Sequence, residues 1–261
     1  MAEQNGKRIN INADMGEGFG AYDIGDDLAL LDIVQSANVA CGMHGGDAGV
    51  MRRVILAAEE KGVSVGAHPG FDDLWGFGRR QIRMNTDELE YLVAYQIGAM
   101  LGMAAYSGLA VTHVKAHGAL NNMGCTDAGY ALAIARAAKT VEPRLINLVM
   151  PGTEMERAAR ELGLPVAREA FVDRTYEEDG TLTPRSVPGS VIRDADVAAE
   201  RVVRMVVDGV IPSRLGSELE IGFDSLCVHG DEPTSVAVAR AARAALEQAG
   251  VALVPLPQMM G

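Results

Sequence analysis

Ala110–Asn122 reads AVTHVKAHGALNN. Two histidines, His113 and His117, stand four residues apart with Lys115 between them. On a helix this spacing stacks both imidazoles on one face, as in a zinc motif. On a strand it puts His113, Lys115 and His117 on one side, opposite Thr112, Val114 and Ala116. The strand reading sorts charged side chains from apolar ones, and we adopt it. It makes 110–115 a strand with polar groups on one face, ending ahead of a Gly turn.

The same alternation recurs along the chain. In 8–13 and on to Asp14, Asn10, Asn12 and Asp14 oppose Ile9, Ile11 and Ala13. In 36–41, Ser36 and Asn38, with His44 just beyond, oppose Ala37, Val39 and Cys41. In 63–68, Ser64, Gly66 and His68 oppose Val63, Val65 and Ala67. In 225–230, Ser225, Cys227, His229 and, just beyond, Asp231 oppose Leu226 and Val228. Strands at 145–150 and 166–171 fit less cleanly. Between the strands, a period near 3.6 predicts helices over about 48–61, 86–107, 127–141, 153–162, 195–208 and 233–249. EKGV (60–63), ELGL (161–164) and QAGV (248–251) each read as a helix end, a glycine cap and an apolar strand. Segments 172–193 and 209–224 read as long loops. Strand–helix alternation implies a mostly parallel sheet. About seven units in one domain, 1–261, suit a TIM-like (βα) barrel, with a doubly wound open sheet as the alternative. In the barrel the polar faces look inward, and their last members sit at the C-terminal rim, where such folds carry chemistry.

The net charge of −12 argues against a nucleic-acid or anionic-membrane partner. No run of about 18 apolar residues could span a membrane. MAEQNGKRIN lacks the apolar core of a signal peptide, so a cytoplasmic protein is expected. Three cysteines without a CxxC pair suggest neither a disulfide framework nor a zinc knuckle.

All five histidines fall at or near strand ends, where imidazole serves as ligand or general acid and base. His113 lies deeper than the rest and reads as support. Asp14 and Glu17 sit in NADMGEGFG (12–20), and GGD and HGDE add Asp47 and Asp231. Carboxylates beside imidazoles can build a metal site or a proton relay. Asp47 reads equally as the N-cap of the helix at 48–61. Lys115, inward by parity, needs a carboxylate or an anionic ligand. Arg79 and Arg80 in GFGRRQ (76–81), and Arg174 and Arg185 in 172–186, can hold carboxylate or phosphate. No P-loop and no GxGxxG is present.

Taken together, INADMGEGFG, SANVACGMHGGDAG, GAHPGF with GFGRR, HVKAHGALNN, FVDRTYEEDGTLTPRS and CVHGDEP resemble the LamB/YcsF family over about residues 8–256. The resemblance implies a seven-stranded barrel of the glycoside hydrolase/deacetylase type. It implies ATP-dependent opening of 5-oxoproline (pyroglutamate) to glutamate by the A component of a 5-oxoprolinase, with 5-oxoprolinase subunits B and C as partners. A divalent metal such as Mg is a second cofactor to expect. Among the motif positions, we assign catalysis to Asp14, Glu17, His68, Lys115, His117 and His229. Substrate binding goes to Asn38, His44, Asp47, Arg79, Asp173, Arg174, Arg185 and Asp231. The alternatives are ATP-independent, metal-dependent hydrolysis of an amide (amidohydrolase or deacetylase) and a non-catalytic binding role. The family usually reads HVKPHGALYN and CGFHAGDP, whereas this chain has Ala116 and Asn121, and Met43, Gly45 and Ala48. Asn121 matters most, since it replaces a rim tyrosine.

Overall fold

Seven of the strands close on themselves in a computed structural model that describes residues 7–260. They are β1 (Arg8–Met15), β2 (Ser36–Ala40), β3 (Ser64–His68), β4 (Val111–Val114), β5 (Ile146–Val149), β6 (Val166–Phe171) and β9 (Ser225–Val228). All neighbours are parallel, and β9 pairs with both β6 and β1. This is the expected barrel, and the open sheet is excluded by the β1–β9 pairing. Expectations for residues 1–6 and 261, including the leader and the outer limits of the domain, lie outside the described residues.

Helices α1 (Asp27–Leu31), α2 (Ala48–Glu60), α3 (Thr86–Tyr106), α4 (Gly118–Thr126), α5 (Ala128–Val141), α6 (Glu154–Glu161), α7 (Ala195–Val203) and α8 (Ser235–Gln248) surround it. Their starts follow capping chemistry: Asp47, Asn85, Asp127 and Asp194 each accept a hydrogen bond from a first-turn amide. Buried Val54, Leu89, Val93, Ile97 and Met100 pack on the outward strand residues Ile11, Val39, Val65 and Val114.

Three local differences from expectation have physical causes. The Gly- and Asn-rich 118–126 forms α4, although His117 gives it no side-chain cap; the Ala119 amide instead donates to the Gly78 carbonyl at 2.9 Å. Segment 209–224 contains a two-stranded hairpin, β7 (Ile211–Pro212) with β8 (Glu218–Leu219). The strand expected after QAGV is only β10 (Ala252–Leu253), which pairs with β1 and leads into α9 (Leu256–Met259).

Register decides what fills the barrel. Asn12 lies beside Ser36, Asp14 beside Asn38, Asn38 beside Gly66, His113 beside Ile146, Leu148 beside Ala167, Glu169 beside Ser225 and Cys227 beside Asn12. Partners in a parallel sheet face the same way, so all of these point inward. Ile146, Leu148 and Ala167 form a small apolar cluster with Leu256 of α9. The Leu256 amide donates to Ser36 Oγ at 3.2 Å, so the C-terminal turn plugs the N-terminal end of the barrel. The other strands contribute polar groups, and these satisfy one another as buried groups must. Asn10 Nδ2 donates to Ser36 Oγ (2.9 Å), Asn12 Nδ2 to Ser225 Oγ (2.8 Å), and Asn38 Nδ2 to Asn12 Oδ1 (2.7 Å).

Candidate active site at the barrel rim

His113 occupies the floor of the site. Its Nε2–H donates to Asn38 Oδ1 at 3.0 Å, and Nδ1 lies 2.7 Å from Thr112 Oγ1. Burial pushes its pKa down to about 3, so it is a neutral support. Its ring takes the space left by Gly66, where a Cβ would come within 2.2 Å of it.

Above it stands Lys115. The ammonium donates to Asp14 Oδ1 at 2.8 Å and to Cys227 Sγ at 3.0 Å, and lies 3.0 Å from Glu169 Oε1. Burial opposes its charge, but Asp14, Cys227 and Glu169 outweigh that and hold its pKa well above the ordinary lysine value. Asp14 is the matched partner. Burial works against its carboxylate too, yet His68 and Lys115 keep it well below the usual range. Burial dominates at Glu169 and raises its pKa despite Lys115. Burial also raises the Cys227 thiol well above its usual value, so it stays protonated.

Two carboxylate–imidazole groups flank this centre. In the first, Glu17 Oε1 lies 3.2 Å from His44 Nε2 and 3.3 Å from His117 Nδ1. His117 Nδ1 is 3.1 Å from His68 Nε2, which is 3.4 Å from Asp14 Oδ2. The rings of His44 and His117 stack at 3.6 Å. Burial, reinforced by the Asp14 charge, pushes Glu17 up to about 8. Burial and neighbouring imidazoles push His44 and His117 well below the usual histidine range. The loop between β3 and α3 covers this group: Phe77, the one non-glycine in the left-handed region (φ 53°) among the described residues, accepts from His117 Nε2 at 2.8 Å. Gly78 (φ 62°) lies against His44 and His117, leaving no room for a Cβ.

In the second group, the His229 Nδ1–H donates to Asp173 at 2.9 Å, and the His229 amide donates to Asp173 Oδ2 at 3.1 Å. Burial opposes the Asp173 charge, but His229 more than offsets it and the pKa is lowered. The ring stacks on Phe171, and Nε2 has no partner among the described residues. The β1–β9 register, with Ala13 beside Val228, brings His229 next to Asp14.

The remaining expected residues are distributed around this core. Asn38 donates to Asp14 Oδ1 at 2.9 Å. Arg79 pairs with Asp231 at 2.8 Å, joining the β3–α3 loop to the β9–α8 loop. Arg185 pairs with Glu232 at 3.5 Å. Arg174 is buried and donates to the carbonyls of Ser190 (3.2 Å) and Thr183 (2.6 Å), so it holds the 172–193 loop together. Burial, then the Arg185 charge, lowers its pKa. Asp47 is engaged as a cap: Oδ1 accepts from Val50 and Oδ2 from Gly20. Asn121 faces Met150 and Cys125 through long contacts to sulfur.

Glu169 has no counterpart among the residues expected from the sequence. Its inward parity with Ala167, Phe171 and Asp173 is masked by Arg168 on the opposite face, which pairs with Asp224. Phe77 is a second addition, because its role is played by a backbone carbonyl.

A family model described as LamB/YcsF family matches residues 9–261. A relative from Gluconobacter oxydans, named as the A component of a 5-oxoprolinase, is 52% identical over 247 residues, covering 95% of this chain and 97% of the relative. The crystal structure of a lactam utilization protein from Thermus thermophilus superposes with a TM-score of 0.92 at 46% identity, covering 95% of this chain and 100% of that one. A peptidoglycan N-acetylglucosamine deacetylase catalytic domain from Eubacterium rectale shares the fold, with a TM-score of 0.52 at 12% identity, covering 99% of this chain and 92% of that one. The chain belongs to the LamB/YcsF family.

Proposed function

We propose that this LamB/YcsF chain is the A component of a 5-oxoprolinase, opening 5-oxoproline to L-glutamate at the expense of ATP, in the cytoplasm, with subunits B and C. The observation that carries the reading is the full-length likeness to a relative of that name at 52% identity. Among the described residues, no helix is long and apolar enough to cross a membrane.

A lactam carbonyl is a poor electrophile and its nitrogen a poor leaving group. Transfer of the γ-phosphoryl group of ATP to the lactam oxygen removes the first obstacle and releases ADP. One water then adds to the ring carbon, and the C–N bond breaks as the nitrogen gains a proton, leaving an acyl phosphate. A second water releases phosphate and glutamate.

In this scheme His229 is the proton carrier. Asp173 holds its Nδ1–H, so Nε2 is free to take a proton from water and return it to the ring nitrogen. Lys115 and Asp14 form a fixed charge pair under the reacting carbon, with the ammonium answering negative charge that develops on oxygen. Arg79 and Arg185, each paired with a loop carboxylate at the rim, exchange that partner for the carboxylate of the substrate. The chain has no P-loop, so the nucleotide is presented jointly with one of the partner proteins.

Another reading, ATP-independent hydrolysis of an amide, is favoured by one observation, the Glu17–His44–His68–His117 cluster. The deciding measurement is glutamate release from 5-oxoproline by the purified A, B and C proteins, with and without ATP. Glutamate matched by ADP supports the first reading, and release without ATP supports the second. Full activity with His229→Ala would leave the chain a binding role only.

A further inference from the structure

Two of the imidazoles at the rim have tautomers fixed by backbone carbonyls. A carbonyl can only accept, so His68 carries its hydrogen on Nδ1, which donates to the Lys115 carbonyl at 2.8 Å. His117 carries its hydrogen on Nε2, which donates to the Phe77 carbonyl at 2.8 Å. The remaining nitrogens, His68 Nε2 and His117 Nδ1, therefore present lone pairs, and they face each other at 3.1 Å. Glu17 Oε1 lies 3.3 Å from the second of them and adds further lone pairs. His44 Nε2 joins at 3.2 Å from the same oxygen. Four acceptor-capable atoms, all within 4.8 Å of one another and all buried, need a cation among them.

The spacing identifies the kind of cation. Bonds of about 2.0–2.1 Å at tetrahedral angles set donor atoms roughly 3.3–3.4 Å apart. The three contacts of 3.1, 3.2 and 3.3 Å match that edge. Three imidazoles and one carboxylate suit a borderline first-row ion, whereas magnesium prefers oxygen ligands and keeps its waters. We infer that Glu17, His44, His68 and His117 form a binding site for a divalent transition-metal ion of the zinc, manganese or cobalt class, in place of the magnesium expected from the sequence.

The backbone carbonyls of Lys115 and Phe77 complete the arrangement, since each fixes the ring that offers its other nitrogen. Gly78 permits this closeness: a side chain there would strike the His117 ring. The inference rests on side-chain geometry and is independent of the substrate proposed above. The competing occupant is a single proton on His68 Nε2, shared with Asp14 and His117.

The test is metal content together with Co2+ titration. Purified protein is stripped with chelator, dialysed and given Zn2+, Mn2+, Co2+ or Mg2+ separately. The expected result is one equivalent of Zn2+ and Co2+, a visible Co2+ spectrum of mixed nitrogen and oxygen ligation, and Mg2+ binding at least a hundredfold weaker. Glu17→Gln and His117→Gln, checked for native circular dichroism, should each weaken Co2+ at least tenfold. Asp173→Asn should keep the full equivalent while losing turnover, which separates failure of the metal site from failure of the lactam reading. Less than a tenth of an equivalent of every transition ion, equal affinity for Mg2+ and Zn2+, or unchanged binding in both Gln variants would overturn the assignment.

Discussion

Glu17 among His44, His68 and His117, and Asp173 beside His229, are both carboxylates packed against imidazoles at one barrel rim. Their electrostatics run in opposite directions. Burial prevails at Glu17 and pushes it up to about 8, while His44 and His117 beside it are driven toward neutrality. At Asp173 the imidazole prevails over burial and holds the carboxylate low. The number of rings explains the difference. One imidazole donates its hydrogen to Asp173, whereas three crowd Glu17, and two of them have given their hydrogens to carbonyls elsewhere. The first group lacks positive charge, and the second is a finished pair with a free Nε2. A rim can thus hold a ligand site and a proton carrier built from the same two kinds of side chain.

Removing the proton carrier is the strongest way to break this comparison. His229→Ala should lower ring opening by about 10²–10⁴-fold in the assembled enzyme. Asp173→Asn should cost about as much, and the double variant little more than either, since the two act as a unit. Rates within tenfold of the native enzyme would remove His229 from the chemistry. The next largest effect concerns the charge that the two groups share through Asp14. Lys115→Met leaves Asp14 buried without its cation and should cost about 3–5 kcal/mol in denaturant unfolding. A loss under about 1 kcal/mol would mean that Asp14 finds another partner.

His113 sharpens the comparison, because burial acts on it with no carboxylate contact. Its folded pKa of about 3 lies below the ordinary 6.5, so the unfolded chain binds a proton that the folded one refuses. Its contribution is complete above about pH 6.5 and is lost as pH falls toward 3, by up to about 1.4 kcal/mol per unit. His113→Gln should therefore flatten the stability–pH slope between about pH 6 and 4 by about one proton, and identical slopes would contradict the burial argument. The smallest effect is expected at Arg79, whose side chain is 36% exposed in its pair with Asp231. Arg79→Gln should change stability by only about 0.2–1 kcal/mol. Its larger signature should be a raised KM for 5-oxoproline.

The barrel is legible in the sequence because alternation in four strands and the start of a fifth sorts polar from apolar residues cleanly. Asn12, Asn38, His113 and Lys115 all point where parity places them. β5 and β6 are less legible for opposite reasons. Ile146 and Leu148 face inward yet are apolar, because Leu256 fills that end of the barrel. In β6 the paired Arg168 and Asp224 make the outer face look polar too. At the rim, histidines near strand ends identify the site, but two features lie beyond any side-chain pattern. The carbonyls of Lys115 and Phe77 set the tautomers of His68 and His117, and backbone geometry writes no residue type into the sequence. Loop residues such as Asp47 and Arg174 share a motif with the site, yet their bonds go to backbone groups of nearby loops.

The place of β1 also bears on how the molecule is made. It pairs with β2 on one side and with β9 and β10 on the other, and Ser225 donates to Asn10 across 215 residues of chain. A polypeptide leaving the ribosome exposes β1 first and receives its second neighbour almost last. Until then one edge of the first strand is unpaired, and so is the growing sheet at its other end. Closure is a late, long-range event, slow by contact order and open to edge-to-edge association between nascent chains. A chain arrested before Ser225 would hold β1 to β6 with two sticky margins, and chaperone dependence should concentrate in that interval of synthesis.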